Sequence, residues 1–119
     1  MNKQDLLKRT KTYALRVIRA VQALPGDDVS TTLGRQLLRA GTSVGANYRA
    51  ACRAKSTADF VNKLKIVEEE CDESIYWMEL LIEAGLLLLH RLDALMHEAD
   101  ELLSIFVSAI KTTRAARVS

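Results

Sequence analysis

The sequence predicts an all-α fold, an antiparallel up-down four-helix bundle. Three observations lead there. Apolar residues recur at spacings of three and four along most of the 119 residues. The β-branched alternation that a sheet needs is scarce. The one proline, Pro25, falls in the turn-rich run Pro25-Gly26-Asp27-Asp28. A chain of this length fits one domain, residues 1–119, with a core of its own but much apolar surface near water.

The first helix is expected over about 5–24, where Leu6, Leu7, Tyr13, Ala14, Val17, Ile18, Val21 and Leu24 keep helical spacing. The second is expected over about 31–54, capped by Ser30 or Thr31. Its run Gly41-Thr42-Ser43-Val44-Gly45 reads as loop by propensity, since each glycine costs about 1 kcal/mol in a helix. Periodicity argues the other way. Leu33, Leu37, Val44, Tyr48 and Ala51 share one face, and Arg35, Arg39, Arg49 and Arg53 share the opposite one. A stripe in phase across both glycines implies one helix, whose glycines let another backbone approach closely.

The third helix is expected over about 57–84, from the capping-box-like Ser56-Thr57-Ala58-Asp59 to Gly85 as C-cap. Its core stripe is Phe60, Leu64, Val67, Cys71, Ile75, Met78 and Ile82. A second apolar set, Ile66, Tyr76, Trp77 and Leu80, lies off that stripe. It indicates a further packing surface, most simply a neighbouring subunit; the alternative is that Trp77 covers the end of the bundle. The fourth helix is expected over about 92–113, with the tail TTRAARVS fraying. Short connections favour antiparallel neighbours.

The net charge of +2 conceals a division. Residues 1–55 carry 11 basic and 3 acidic side chains, a net of +8, whereas residues 56–119 carry 6 basic and 12 acidic, a net of −6. Such asymmetry suits a polyanion-binding face or electrostatic pairing between subunits. Lys8, Lys11, Arg16 and Arg19 of the first helix, with Arg35, Arg39, Arg49 and Arg53 of the second, are the candidate RNA or DNA backbone contacts. No aromatics interleave them, as a single-strand stacking platform requires. The competing reading pairs these arginines with the carboxylates of the third helix, within or between subunits.

Enzymatic patterns are weak. A carboxylate di-metal bundle needs glutamates on all four helices and two Glu-x-x-His motifs. Here no glutamate precedes Glu68, and His90 and His97 follow Leu87 and Ala94 by three. The expectation is no metal, no cofactor and no catalytic residue. Cys52 and Cys71 read as small residues in a reducing compartment. Gly41 to Gly45 is no phosphate loop, lacking the following Gly-Lys-Ser/Thr. The amphipathic N-terminus lacks the apolar core of a signal peptide. The most apolar stretch, Leu80 to Leu89, is far shorter than a span of about 20 residues, so the expectation is a cytoplasmic protein with no membrane contact.

Three blocks together resemble a known family: Leu37-Leu38-Arg39 through Gly45-Ala46-Asn47-Tyr48-Arg49, then Asp59-Phe60 with Lys63-Leu64, then Glu73 through Tyr76-Trp77 with Glu79-Leu80-Leu81. They are similar to the signature of the bacterial four-helix bundle family, also known as the 23S ribosomal RNA intervening-sequence or S23 family. The likeness runs from Tyr13 through ELLSIFVSAIKTTR. It departs at Ala50, where glutamate is common, and at Cys71, where alanine is usual. The resemblance implies a ring-shaped homopentamer. It also implies a relation to the accessory protein of diversity-generating retroelements, which is basic and binds nucleic acid and a reverse transcriptase. It supplies no catalytic residues.

The functional expectation is a non-enzymatic assembly or adaptor protein that binds RNA or DNA backbone through its basic face. The alternatives are a purely protein-binding scaffold whose arginines lie at subunit interfaces, and a carboxylate-based enzyme. The candidate oligomer interface comprises Gly41, Gly45, Tyr76, Trp77 and Leu80.

Overall fold

Three of the four helices begin where a side chain can take up free backbone N–H groups of the first turn. The computed structural model describes the backbone of residues 1–118 and the side chains of residues 1–116. Helix α1 (Lys3–Gln22) opens on a full capping box: Asn2 accepts from the Asp5 amide at 2.9 Å, and the Asn2 amide donates to Asp5 at 3.4 Å. Helix α2 (Asp28–Ala51) opens on Asp27, not on Ser30 or Thr31. The Asp27 carboxylate accepts from the Ser30 amide at 2.9 Å and from its hydroxyl at 2.8 Å, so Ser30 serves the cap as donor.

Helix α3 (Thr57–Glu83) starts at Ser56, which accepts from the Asp59 amide at 3.1 Å. It ends at Gly85, whose φ of 73° suits a residue without Cβ. There the Leu86 amide donates to the Leu81 carbonyl at 2.9 Å and the Gly85 amide to the Ile82 carbonyl at 3.0 Å, a Schellman stop. Helix α4 (Leu89–Val118) outruns its expected bounds at both ends. The tail expected to fray is helical through Val118; Ala115, Ala116 and the arginines favour helix, and no breaker intervenes. Ser119 lies outside the described residues.

The helices run up and down. α2 packs beside α1 and α3, and α4 packs beside α3 and more loosely beside α1. The result measures 51 × 21 × 20 Å. Both diagonals are bridged by aromatic residues. Tyr13 of α1 reaches Ser74 of α3 with an O···O distance of 2.7 Å, and the Tyr48 and Phe106 rings of α2 and α4 lie 5.8 Å apart.

The core stripe of α3 is Val61, Leu64, Val67, Cys71, Ser74, Met78 and Leu81, with Phe60, Ile75 and Ile82 moved to half-buried flanks. Hydropathy ranks Ile75 above Ser74. Ser74 nonetheless takes the central position, bonded to the Tyr13 hydroxyl and donating to the Cys71 carbonyl at 2.7 Å.

α2 is continuous through Gly41 and Gly45, as its arginine phase implied. Both glycines face α1 of the same chain. A Cβ at Gly41 would stand 2.8 Å from each Val17 methyl, and one at Gly45 would stand 3.3 Å from the Thr10 carbonyl. Their close approach is therefore intramolecular, which corrects their assignment to a subunit interface. Among the described residues no helix is long and apolar enough to cross a membrane.

Candidate polyanion-binding groove

The start of α1 lies against the end of α2, and between them runs a groove of about 780 Å³. It exists because α2 presents only small residues there. Thr42, Gly45 and Ala46 leave space that larger side chains would fill, and Thr42 turns its hydroxyl back onto the Leu38 carbonyl at 2.7 Å. Leu7 and the half-buried Cys52 complete an apolar floor.

Cations form the rims. Lys3, Lys8 and Lys11 come from α1, and Arg49 and Arg53 from the last turn of α2 and just beyond. No carboxylate lines the groove, and none of these five cations forms an ion pair among the described residues. Asp5, the nearest acid in sequence, is taken up in the capping box of α1. Lys55 stands on the adjoining connection, and Lys111 and Arg114 lie in the terminal turns of α4 at this end of the bundle. Glu98 and Glu101 of α4 reach the same stretch of α1 and are taken up there by Arg9.

The eight candidate backbone contacts do not form one site. Lys8, Lys11, Arg49 and Arg53 line the groove. Arg16 and Arg19 line a smaller cleft between α1 and α4. Arg39 is engaged within the chain: it pairs with Glu70 of α3 at 3.1 Å and also with Glu73. Arg35 is exposed near the start of α2 and lines neither groove. Of the aromatic set on α3, Tyr76 is 54% exposed and Leu80 half-buried, whereas Trp77 packs against the core and donates to Glu73 at 3.2 Å. Trp77 therefore belongs partly to the monomer's own core.

Two groove residues escaped the sequence reading, and one paired cation did too. Lys3 was legible, being four and eight residues before Leu7 and Lys11 on one face. Arg91 was not, because it is isolated in the acidic half; it joins Arg16 and Arg19 in the smaller cleft. Arg9 is held by Glu98 at 2.6 and 3.0 Å and by Glu101 at 3.0 Å, clamping α1 to α4 and raising the pKa of Arg9.

The remaining polar chemistry is structural. Thr10 donates to the Leu6 carbonyl at 2.8 Å, and burial raises the pKa of Tyr13. Burial also pushes the Cys71 thiol up to about 12, with its sulfur 3.4 Å from the Ala99 carbonyl. Among the described residues no group of three or more His, Cys, Asp or Glu is placed to hold a metal ion.

Residues 2–108 match the family model for the 23S rRNA-intervening sequence protein. A crystal structure of a protein of unknown function from the S23 ribosomal protein family of Bacteroides thetaiotaomicron superposes with a TM-score of 0.86. The two chains are 32% identical over 93% of this chain and 99% of the other. No curated protein matches this chain.

Proposed function

This chain belongs to the 23S rRNA-intervening sequence protein family, and from that premise we propose that it is a non-enzymatic assembly protein that grips nucleic-acid backbone in the α1–α2 groove. The observation that carries this reading is the grouping around a carboxylate-free groove of five cations that form no ion pair among the described residues, whereas Arg9 and Arg39 are neutralised by glutamates. The small-residue floor suits close approach of a phosphate backbone, and the absence of aromatics from the lining favours backbone contact over base stacking. The non-enzymatic part is supported by the buried hydroxyls and thiol, each spent on a structural hydrogen bond.

Binding of a fluorescent structured RNA at two salt concentrations tests the proposal. Arg49→Ala/Arg53→Ala should weaken binding and reduce the magnitude of the salt slope by about 1–2, since each lost phosphate contact removes about 0.7–0.9. Unchanged affinity and slope would overturn it.

Self-association accompanies this reading, with a pentamer as the expected state. Its support is the outer face of α3, where Tyr76 and Ile66 are exposed beside Leu80. Tyr76→Ala should lower the particle mass measured by light scattering; an unaltered mass rejects that face as an interface.

A further inference from the structure

The cleft between α1 and α4 has a volume of about 320 Å³ and carries Arg16, Arg19 and Arg91 over an alanine and leucine floor. No carboxylate lines it, although this part of α4 is acidic. Of the neighbouring acids, Glu98 and Glu101 are held by Arg9, and Asp93 is not among the lining residues. None of the three arginines forms an ion pair among the described residues. Arginines lining a cleft that holds no carboxylate suit a phosphate, which they can bind through paired N–H donors.

This cleft and the α1–α2 groove open on opposite flanks of the same helix. α1 and its C-cap Ala23 contribute residues 3–11 to one and 16–23 to the other. Their centres are roughly 12 residues apart, or about 18 Å at the rise of an α-helix. Lys8, Lys11 and Arg19 are exposed on α1 along the way. We propose that the α1–α4 cleft is a second phosphate subsite, and that one nucleic-acid strand crosses α1 and occupies both. The inference rests on the reading of the α1–α2 groove as a backbone site. A strand long enough to span both subsites gains from the high effective concentration of its second contact, and a short one does not. The grip is on backbone at both points, because neither lining contains an aromatic.

The test uses the full chain, a trinucleotide and a strand of roughly 20 nucleotides, long enough to cover a single-strand site. Wild type should bind the long strand at least about tenfold more tightly than the short one. Arg19→Ala/Arg91→Ala should remove most of that advantage, change trinucleotide binding less than about twofold, and reduce the salt slope by about 1–2. Arg91→Lys keeps the charge and should keep the slope, and thermal melting of each variant confirms the fold. Arg49→Ala/Arg53→Ala should weaken both ligands. If Arg19→Ala/Arg91→Ala binds the long strand like wild type while Arg49→Ala/Arg53→Ala does not, the second subsite is refuted and the first stands. If wild type binds neither ligand, or Arg49→Ala/Arg53→Ala binds both unchanged, the backbone reading fails and this inference falls with it.

Discussion

Gly41→Ala should destabilise the bundle, although alanine is the better helix former. The gain from propensity is about 1 kcal/mol. Against it stands a steric conflict: the new Cβ would lie 2.8 Å from both Val17 methyls and 3.1 Å from Val17 Cβ. Rotating Val17 gives no escape, since both branches are blocked and a helical valine strongly prefers one χ1 well. Overpacking of this kind costs about 1–3 kcal/mol. The steric term outweighs propensity, leaving a net loss of up to about 2 kcal/mol and a fall in Tm of up to about 8 °C. Urea and thermal unfolding of the variant measure it. Gly26→Ala is the control, because a Cβ there meets nothing within 4 Å and should be neutral or slightly stabilising. Val17→Ala/Gly41→Ala is the discriminating variant, since the new Cβ fills part of the space the valine vacates. The double change should be less damaging than the sum of the singles by about 1 kcal/mol. Strict additivity, or a Gly41→Ala protein more stable than wild type, would refute the argument that α1 and α2 meet at this glycine.

Other predictions follow from particular side chains. Tyr13→Phe removes the bond to Ser74 and should cost about 0.5–1.5 kcal/mol in chemical denaturation, with Ser74 still bonded to Cys71. Asp27 is held below its ordinary pKa of 3.8 chiefly by the Ser30 backbone amide, and Asp59 below the same value chiefly by Lys63. Lowered carboxylate values stabilise the folded state above the unfolded pKa, so stability should decline as the pH falls below about 4. Asp27→Asn keeps a capping oxygen and should leave Tm at neutral pH nearly unchanged while flattening the acid limb of Tm against pH. A thiol reagent should label the half-buried Cys52 in the native protein and spare Cys71, which is buried with its thiol pushed up to about 12. Cys52 lines the groove, so bound nucleic acid should slow its labelling; an unaffected rate counts against occupancy there.

The helices are legible in the residues themselves: their number, the continuity of α2 through Gly41 and Gly45, and the Ser56 start and Gly85 stop of α3. Periodicity, caps and glycine placement are local properties, and all are written within a few residues of where they act. Local rules also misled where two residues competed, as when Asp27 took the cap from Ser30 and Ser74 took a core position from Ile75. Which cations stay out of ion pairs among the described residues depends instead on how the helices pack. Arg35, Arg39, Arg49 and Arg53 look alike along α2, yet Arg39 meets Glu70 and Glu73 of α3 while Arg49 and Arg53 meet lysines across a groove. Arg91 gains its neighbours from a helix some 70 positions earlier in the chain. Charge acts through space at the range of one helix contact, and one sequence stripe cannot specify which helix packs against each of its faces.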